Sequence, residues 1–224
     1  MINPISDFFG SILTPKDTKV LGIDIGSSSI KVVQLKKQGG KAVLETYGEI
    51  ALGPYSGTDL GRATVLSADK LSEAIKDLLR EANTTTLDSG LSISIGSSFI
   101  VFMKMPTSEE KNFPEMVPIE ARKYIPIPIS EVTLDWWAIP KEEKTVSEFQ
   151  TAQKIEDDKM TEILLIVINN EALNKNREIQ KLAGLQSGFS EVEIFSCMRA
   201  ALDPSTDPQI IMDFGAGCTK VFFV

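Results

Sequence analysis

The sequence predicts an α/β protein whose strands end in two phosphate-binding turns, and three observations carry that prediction. Residues 23–32 read IDIGSSSIKV and residues 212–221 read MDFGAGCTKV, two stretches in register with each other near opposite ends of a 224-residue chain. In both, an apolar run leads to Asp, one apolar residue, Gly, four residues that include hydroxyl or thiol side chains, and then Lys-Val. Small residues there let backbone N–H groups converge on an anion, and an Asp at a strand end can hold a hydrated metal ion beside it. A single such turn is equally at home in a hairpin with no ligand, but the matched pair favours a two-sided phosphate clamp. The second observation is the alternation of strand and helix periods along the chain, and the third is a composition without histidine.

Composition narrows the chemistry further. With 42% apolar residues the chain can bury packed cores, in one domain or two. A net charge of −8 argues against a nucleic-acid groove or a broad surface for anionic lipid, so membrane contact is expected only peripherally or through a partner. The absence of histidine removes Ser-His and Cys-His nucleophile pairs and all histidine metal sites. Phosphate chemistry survives, since it rests on positioning, Mg²⁺ and backbone donors. Cys197 and Cys218 have no CxxC spacing, which suggests neither a disulfide framework nor a zinc site and fits a reducing cytoplasm. No basic leader and no apolar run of about 18 residues is present, so a soluble, non-secreted chain is expected.

The elements follow in order. Ile2, Ile5, Phe8, Phe9, Ile12 and Leu13 recur at helical spacing before Pro15, as a docking helix or as a tail packed on the body; without Lys or Arg among the first 15 residues the tail is favoured. Strands are expected at 20–25, 30–37 and 42–52, around a loop at Ser27–Ser29 and a Gly39-Gly40 turn. A Gly/Pro/Ser-rich loop at 53–66 precedes an amphipathic helix marked by Leu71, Ile75, Leu78, Leu79 and Ala82, with Ser67 as N-cap. Residues 91–105 read as two strand pieces broken at Gly96-Ser97-Ser98. Thr107 then caps an irregular helix to about Tyr124 that contains Pro114 and Pro118. Strands at 132–139 and 163–168 flank a charged, aperiodic loop at 141–160, and the second of them, ILLIVI, reads as central. Helices at about 170–184, stopped by Gly184, and 193–202, closed by Pro204, lead to a strand at 208–213 and the second turn.

The paired turns resemble the phosphate 1 and phosphate 2 loops of the actin-like ATPase superfamily, which has a ribonuclease H-like fold. Within it, EARKYIPIPISEVTLDWWAIP at 120–140 is closely similar to a hallmark of the PilM family of type IV pilus assembly proteins, carried by Glu120, Ala121, Lys123, Tyr124, Ile125, Pro126, Pro128, Leu134, Asp135 and Trp136. The stretch LGIDIGSSSIKVVQL at 21–35 completes the match. The resemblance implies a tail at 1–19, an actin-like first domain begun at 20–89, an inserted strand-helix-strand-strand subdomain at 90–186, a returning helix at 187–205, and the opening strands of a second domain at 206–224. It implies a member truncated at its C-terminal side, since the family continues for more than a hundred residues past the second loop, and with it an open sheet edge prone to pairing and hence to self-association.

The resemblance further implies ATP and Mg²⁺ as ligands, and a partner in the cytoplasmic N-terminal tail of a PilN-like protein of the pilus inner-membrane platform. A cytoplasmic protein peripheral to the inner face of the membrane is expected, with at most slow, regulatory ATPase activity in the whole protein and none in the truncated chain, which is not expected to close around a nucleotide. Asp24, Gly26, Ser27, Ser28, Ser29 and Lys31 match the first phosphate loop, and Asp213, Gly215, Ala216, Gly217, Cys218 and Thr219 the second, with Cys218 where Ser or Thr is commoner. Asp24 and Asp213 would hold Mg²⁺ through water. Glu193 and Arg199 match the helix leading to the second domain, where Glu193 would orient water or serve as a cap or surface pair. Trp136 and Trp137 could line a peptide-binding face, but adjacent strand residues point opposite ways, so only one of them can. Two rivals stay open: an FtsA-like division protein, and a small-molecule kinase of the sugar kinase branch with Asp135 as its base.

Overall fold

The computed structural model describes residues 19–140, 159–202 and 207–224. The expected N-terminal amphipathic segment, nearly all of the charged loop at 141–160, and Pro204 lie outside the described residues. The chain divides into two compact units, one of the described residues within Met1–Ile93 and Lys175–Val224, the other Ser94–Asn174.

The first unit is built on a five-stranded sheet. Strands β1 (Lys19–Ile25), β2 (Ser29–Gln38) and β3 (Lys41–Ala51) form the expected antiparallel meander, with Gly39 and Gly40 at positive φ in its second turn. The chain then makes a short helix, α1 (Gly53–Ser56), within the segment expected to be loop, before α2 (Ala68–Glu81). The Ser67 side chain accepts the Lys70 N–H, which satisfies one of the orphan donors at that helix start as its sequence position predicts. Strand β4 (Asp88–Ile93) then pairs parallel to β1.

A core of Leu21, Ile23, Ile30, Val32 and Leu91 from the sheet against Leu71, Ala74, Ile75 and Leu78 from α2 holds the unit together. Each fully buried Leu or Ile contributes roughly 1.5–3 kcal/mol, so this one face supplies much of the stability. The helix sits close because β3 has a glycine beneath it: a Cβ at Gly48 would lie 2.9 Å from Leu78 Cδ1.

The second unit is a three-stranded antiparallel sheet in the order β5 (Ser98–Pro106), β7 (Met160–Asn169), β6 (Val132–Ala138). β7, which contains the ILLIVI run, is central as expected. The irregular helix is a turn of 3₁₀ helix at Thr107–Asn112, then α3 (Phe113–Glu120), then a second 3₁₀ turn at Ala121–Lys123. Pro114 sits in the first turn of α3, where the missing N–H costs nothing, whereas Pro118 lies inside it and keeps it short. Thr107 does not cap this stretch: its hydroxyl lies 3.0 Å from that of Thr161, tying the turn to β7 instead. Phe113, Val117, Met103, Met105, Ile163 and Leu165 form the core, and Trp136 meets Phe113 edge-on at 6.2 Å between ring centroids.

Helix α4 (Asn170–Ala183) ends where Gly184 takes a φ of 73°, the left-handed conformation that stops helices at little cost for glycine. The next element departs from expectation. Residues 187–192, expected as the start of a returning helix at 187–205, instead belong to a strand, β8 (Gln186–Val192), parallel to β4 at the sheet edge, and only then comes α5 (Glu193–Ala201). The sheet order is therefore β3-β2-β1-β4-β8. A separate hairpin, β9 (Ile210–Phe214) with β10 (Thr219–Phe223), carries the second turn and exposes Ile210, Met212, Phe214, Val221 and Phe223.

Candidate functional site

The two sequence-matched turns are matched in geometry. In the β1–β2 turn the Gly26 N–H donates to the Ser29 carbonyl at 2.9 Å, and in the β9–β10 turn the Gly215 N–H donates to the Cys218 carbonyl at 3.0 Å. An added Cβ at either glycine would fall 3.0 Å from the carbonyl oxygen that closes its own turn. Neither glycine has a positive φ, so what these positions need is room rather than left-handed backbone. Cross-strand register continues the match: Asp24 faces Lys31, and Asp213 faces Lys220. The turns also meet, since a Cβ on Gly217 would stand 3.1 Å from the Ser27 hydroxyl oxygen. Behind the first turn the Ser27 and Ser28 carbonyls accept the N–H groups of Thr64 and Leu52, both at 2.8 Å, which fixes its shape from the 52–64 segment.

Register across the five-stranded sheet aligns Glu49, Lys31, Asp24, Ser92 and Glu191 in one row on the face away from α2. One row further from the turns stand Tyr47, Val33, Gly22, Gly90 and Phe189. The two central glycines hollow that face, and with α5 and Asp213 it bounds a cavity of about 440 Å³. Asp24, Lys31, Glu193 and Asp213 line it, together with Ser92, Phe189, Glu191, Ser196 and Cys197. The turn residues Gly26, Ser27, Ser28, Ser29, Gly215, Ala216, Gly217, Cys218 and Thr219 are not in its wall. They form the paired tips, with the five of the second turn exposed to solvent.

The charged groups are already engaged. Ser92 Oγ donates to Asp24 Oδ1 at 2.7 Å. Lys31 Nζ reaches Ser29 Oγ at 3.2 Å and Glu49 Oε1 at 3.5 Å, turning from its cross-strand Asp24 towards the next strand. The Ser29 hydroxyl, and after it the Lys31 charge, hold the Glu49 carboxyl below its ordinary range. In the second hairpin Lys220 Nζ bridges Glu193 Oε1 at 2.7 Å and Asp213 Oδ2 at 3.3 Å. Burial pushes the Lys220 ammonium down, but Glu193 and then Asp213 outweigh it and hold its pKa above the ordinary lysine value. Burial, followed by the charges of Asp213, Glu193 and Asp24, raises the Cys197 thiol. Arg199 pairs with Glu191.

Glu193 is the first residue of α5, where the expected helix at 193–202 begins, and an ion-pair partner of Lys220 in the second hairpin. Lys220, Ser92 and Phe189 were not among the sequence-derived candidates. The Lys220 signal was present in the shared Asp-to-Lys offset. Ser92 and Phe189 are brought in only by parallel pairing of β4 and β8. Asp135 does not line the cavity; its Oδ1 accepts the N–H of Trp136 at 2.9 Å. Of the tryptophans, Trp136 packs against the second unit's core, and Trp137 is not part of that cluster. Among the described residues no group of three or more carboxylate, thiol or imidazole side chains gathers to hold a metal ion.

A sequence profile described as Type IV pilus assembly protein PilM matches residues 22–207, most of the chain. The chain belongs to this family. Its fold is similar to that of a solved PilM–PilN type IV pilus biogenesis complex, with a TM-score of 0.71 and 25% identity over 93% of this chain. That match covers 59% of the solved PilM-family chain, so the present chain spans less than two thirds of its length. A more distant likeness is to the cytoplasmic domain of EpsL, an inner membrane component of the type II secretion system of Vibrio cholerae. It has a TM-score of 0.52 and 9% identity, covering 87% of this chain and 63% of that one, and bears on fold alone. The PilM-type chain is thus an α/β protein of the actin-like ATPase fold, as its paired turns predicted.

Proposed function

We propose that this chain is a nucleotide-binding adaptor of type IV pilus assembly, in which the two turns receive the phosphates of ATP. The duplicated geometry carries this reading: two hairpins closed by the same Gly N–H to carbonyl bond touch at Gly217 and Ser27 beside a cavity of about 440 Å³. That volume lies within the range of small-molecule sites. Because Gly26 and Gly215 spend their N–H groups closing the turns, the donors for an anion are the tip N–H groups of Ser27, Ser28, Ala216 and Gly217. Asp24, Ser29, Lys31, Asp213, Cys218 and Thr219 complete the candidate site, with Glu193 at its edge. Asp24, held by the neutral hydroxyl of Ser92, suits a hydrated Mg²⁺, which would supply charge neutralisation to the phosphates. Titrating the chain with a fluorescent ATP analogue tests the reading; displacement by unlabelled ATP and loss on Asp24→Ala are expected, and saturable binding unaffected by that change would place the ligand elsewhere.

The partner in this reading is the cytoplasmic tail of a PilN-like membrane protein, and the unit Ser94–Asn174 is the inserted subdomain. Family membership supports it, as does the likeness to a chain solved in complex with PilN. Recruitment by such a tail would hold the chain at the inner face of the membrane, consistent with the finding that no helix among the described residues is long and apolar enough to cross one. A synthetic tail peptide from a neighbouring PilN-like gene is expected to bind the purified chain. Absence of binding at high micromolar peptide to a well-folded chain would refute this part.

A further inference from the structure

Resting on the nucleotide reading above, we infer that Lys220 is a built-in cation of the second turn, so that Asp213 is not a metal ligand and phosphate binding at this site does not require a divalent ion there. The two hairpins share their backbone but differ in how their lysines are used. In the first, Lys31 leaves Asp24 for Ser29 and Glu49, and the Asp24 carboxylate is met by an uncharged hydroxyl. Its negative charge remains to be neutralised by a ligand-bound cation.

In the second hairpin the equivalent lysine stays with its cross-strand Asp and adds Glu193, at 3.3 and 2.7 Å. The Lys220 side chain is 20% exposed and that of Glu193 15%, so this pair is largely shielded from water and its attraction weakly screened, while Asp213 at 40% exposed stays partly solvated. A divalent ion brought to Asp213 would stand next to a fixed ammonium and would have to displace it from that carboxylate, leaving Lys220 paired with Glu193 alone. The two hairpins thus divide the work: the first leaves a carboxylate for a hydrated metal, and the second arrives with a fixed cation between Asp213 and Glu193.

The test compares binding of a fluorescent ATP analogue to the full chain in excess Mg²⁺ and in EDTA, alongside thermal unfolding with Mg²⁺ alone. If the metal is held on the Asp24 side alone, Asp213→Asn should leave the ratio of the two dissociation constants within about threefold of that of the unaltered chain. In Lys220→Met, where Glu193 and Asp213 lose their cation, that ratio should rise by about tenfold or more, and Mg²⁺ alone should raise the melting temperature by more than it does in the unaltered chain. Lys220→Arg, which keeps the charge, should restore the ratio of the unaltered chain. If Asp213→Asn lowers the Mg²⁺ dependence by about tenfold or more, the inference is overturned while the nucleotide reading stands. Equal Mg²⁺ dependence in Lys220→Met and the unaltered chain would overturn it as well. Failure of the analogue to bind with or without Mg²⁺ would instead remove the nucleotide reading itself. Should Lys220→Met not fold, the Asp213→Asn comparison still decides.

Discussion

Replacing Gly90 by Ala probes the wall of the cavity directly, because Phe189 lies across that glycine. An ideal Cβ at Gly90 falls 2.2 Å from Phe189 Cζ, 2.5 Å from Cε2 and 2.7 Å from Cε1, against an ordinary carbon–carbon contact of roughly 3.5–4.0 Å. The ring must therefore move by more than an ångström, and the hollow it lines is the open space beside it. Overpacking of this kind costs about 1–3 kcal/mol, while exchanging Gly for Ala inside a strand returns roughly 0.5–1 kcal/mol by limiting the unfolded chain. The expected net effect is a loss of about 0.5–2 kcal/mol. In a Phe189→Ala background the obstruction is gone, and the same change should stabilise the fold by about 0.5–1 kcal/mol. Urea unfolding of the four proteins of this cycle, followed by circular dichroism, reads the coupling, expected at about 1–3 kcal/mol. A Gly90→Ala change that stabilises the unaltered chain, or effects additive within about 0.5 kcal/mol, would refute the argument that the ring rests on the glycine.

Three further outcomes are expected. Gly26→Val places a branched side chain where even a Cβ is 3.0 Å from the Ser29 oxygen, so the first turn should open and affinity for the ATP analogue should fall at least about tenfold; unchanged affinity in a folded variant would make that turn purely structural. Burial, reinforced by the hydrogen bond to Asp77 and by its charge, pushes the Tyr55 phenol up to about 12. Its contribution to stability should thus be complete below the ordinary tyrosine pKa of about 10 and fade as pH rises towards 12. A spectrophotometric titration in which Asp77→Asn does not bring a late phenolate signal to lower pH would contradict this. Gln180, 5% exposed, has an amide nitrogen without a hydrogen-bond partner, so Gln180→Met should raise stability by about 1 kcal/mol in denaturant unfolding, and a comparable loss would show that the nitrogen is satisfied in solution.

What could be read from the sequence was whatever is local. The meander from Lys19 to Ala51 and the helix capped by Ser67 follow from side-chain period and turn chemistry, and the paired turns follow from an Asp, Gly and Lys spacing that repeats. β8 escaped because QSGFSEV holds only Phe189 and Val192 as large apolar residues. As an edge strand bordering a cavity it has little apolar surface to bury, and its pairing with β4 reaches across the whole second unit. Thr107 had the residue type of a cap, but its hydroxyl found Thr161, more than fifty positions away, a partner no local pattern can report. Asp24, Lys31, Glu193 and Asp213 were all legible as candidates. That they line one cavity, and that Lys220 and Ser92 hold three of the carboxylates between them, depends on tertiary register.

The parallel pairing of β4 with β8 also fixes an order of events during synthesis. β1, β2 and β3 pair with near neighbours and can associate as soon as they are made, but Ile93 finds Val192 only after about a hundred further residues have been added. Until then β4 presents a bare edge with Leu91 and Ile93 beside it, residues that are almost fully covered in the finished protein. Ser94–Asn174, which forms a compact unit of its own, is made during that interval, and condensing it shortens the effective loop that β8 must close. The vulnerable stage in the life of this chain is therefore on the ribosome, between the appearance of β4 and that of β8, and defects in the second unit's core should register first as aggregation of nascent chain rather than as a change in the cavity.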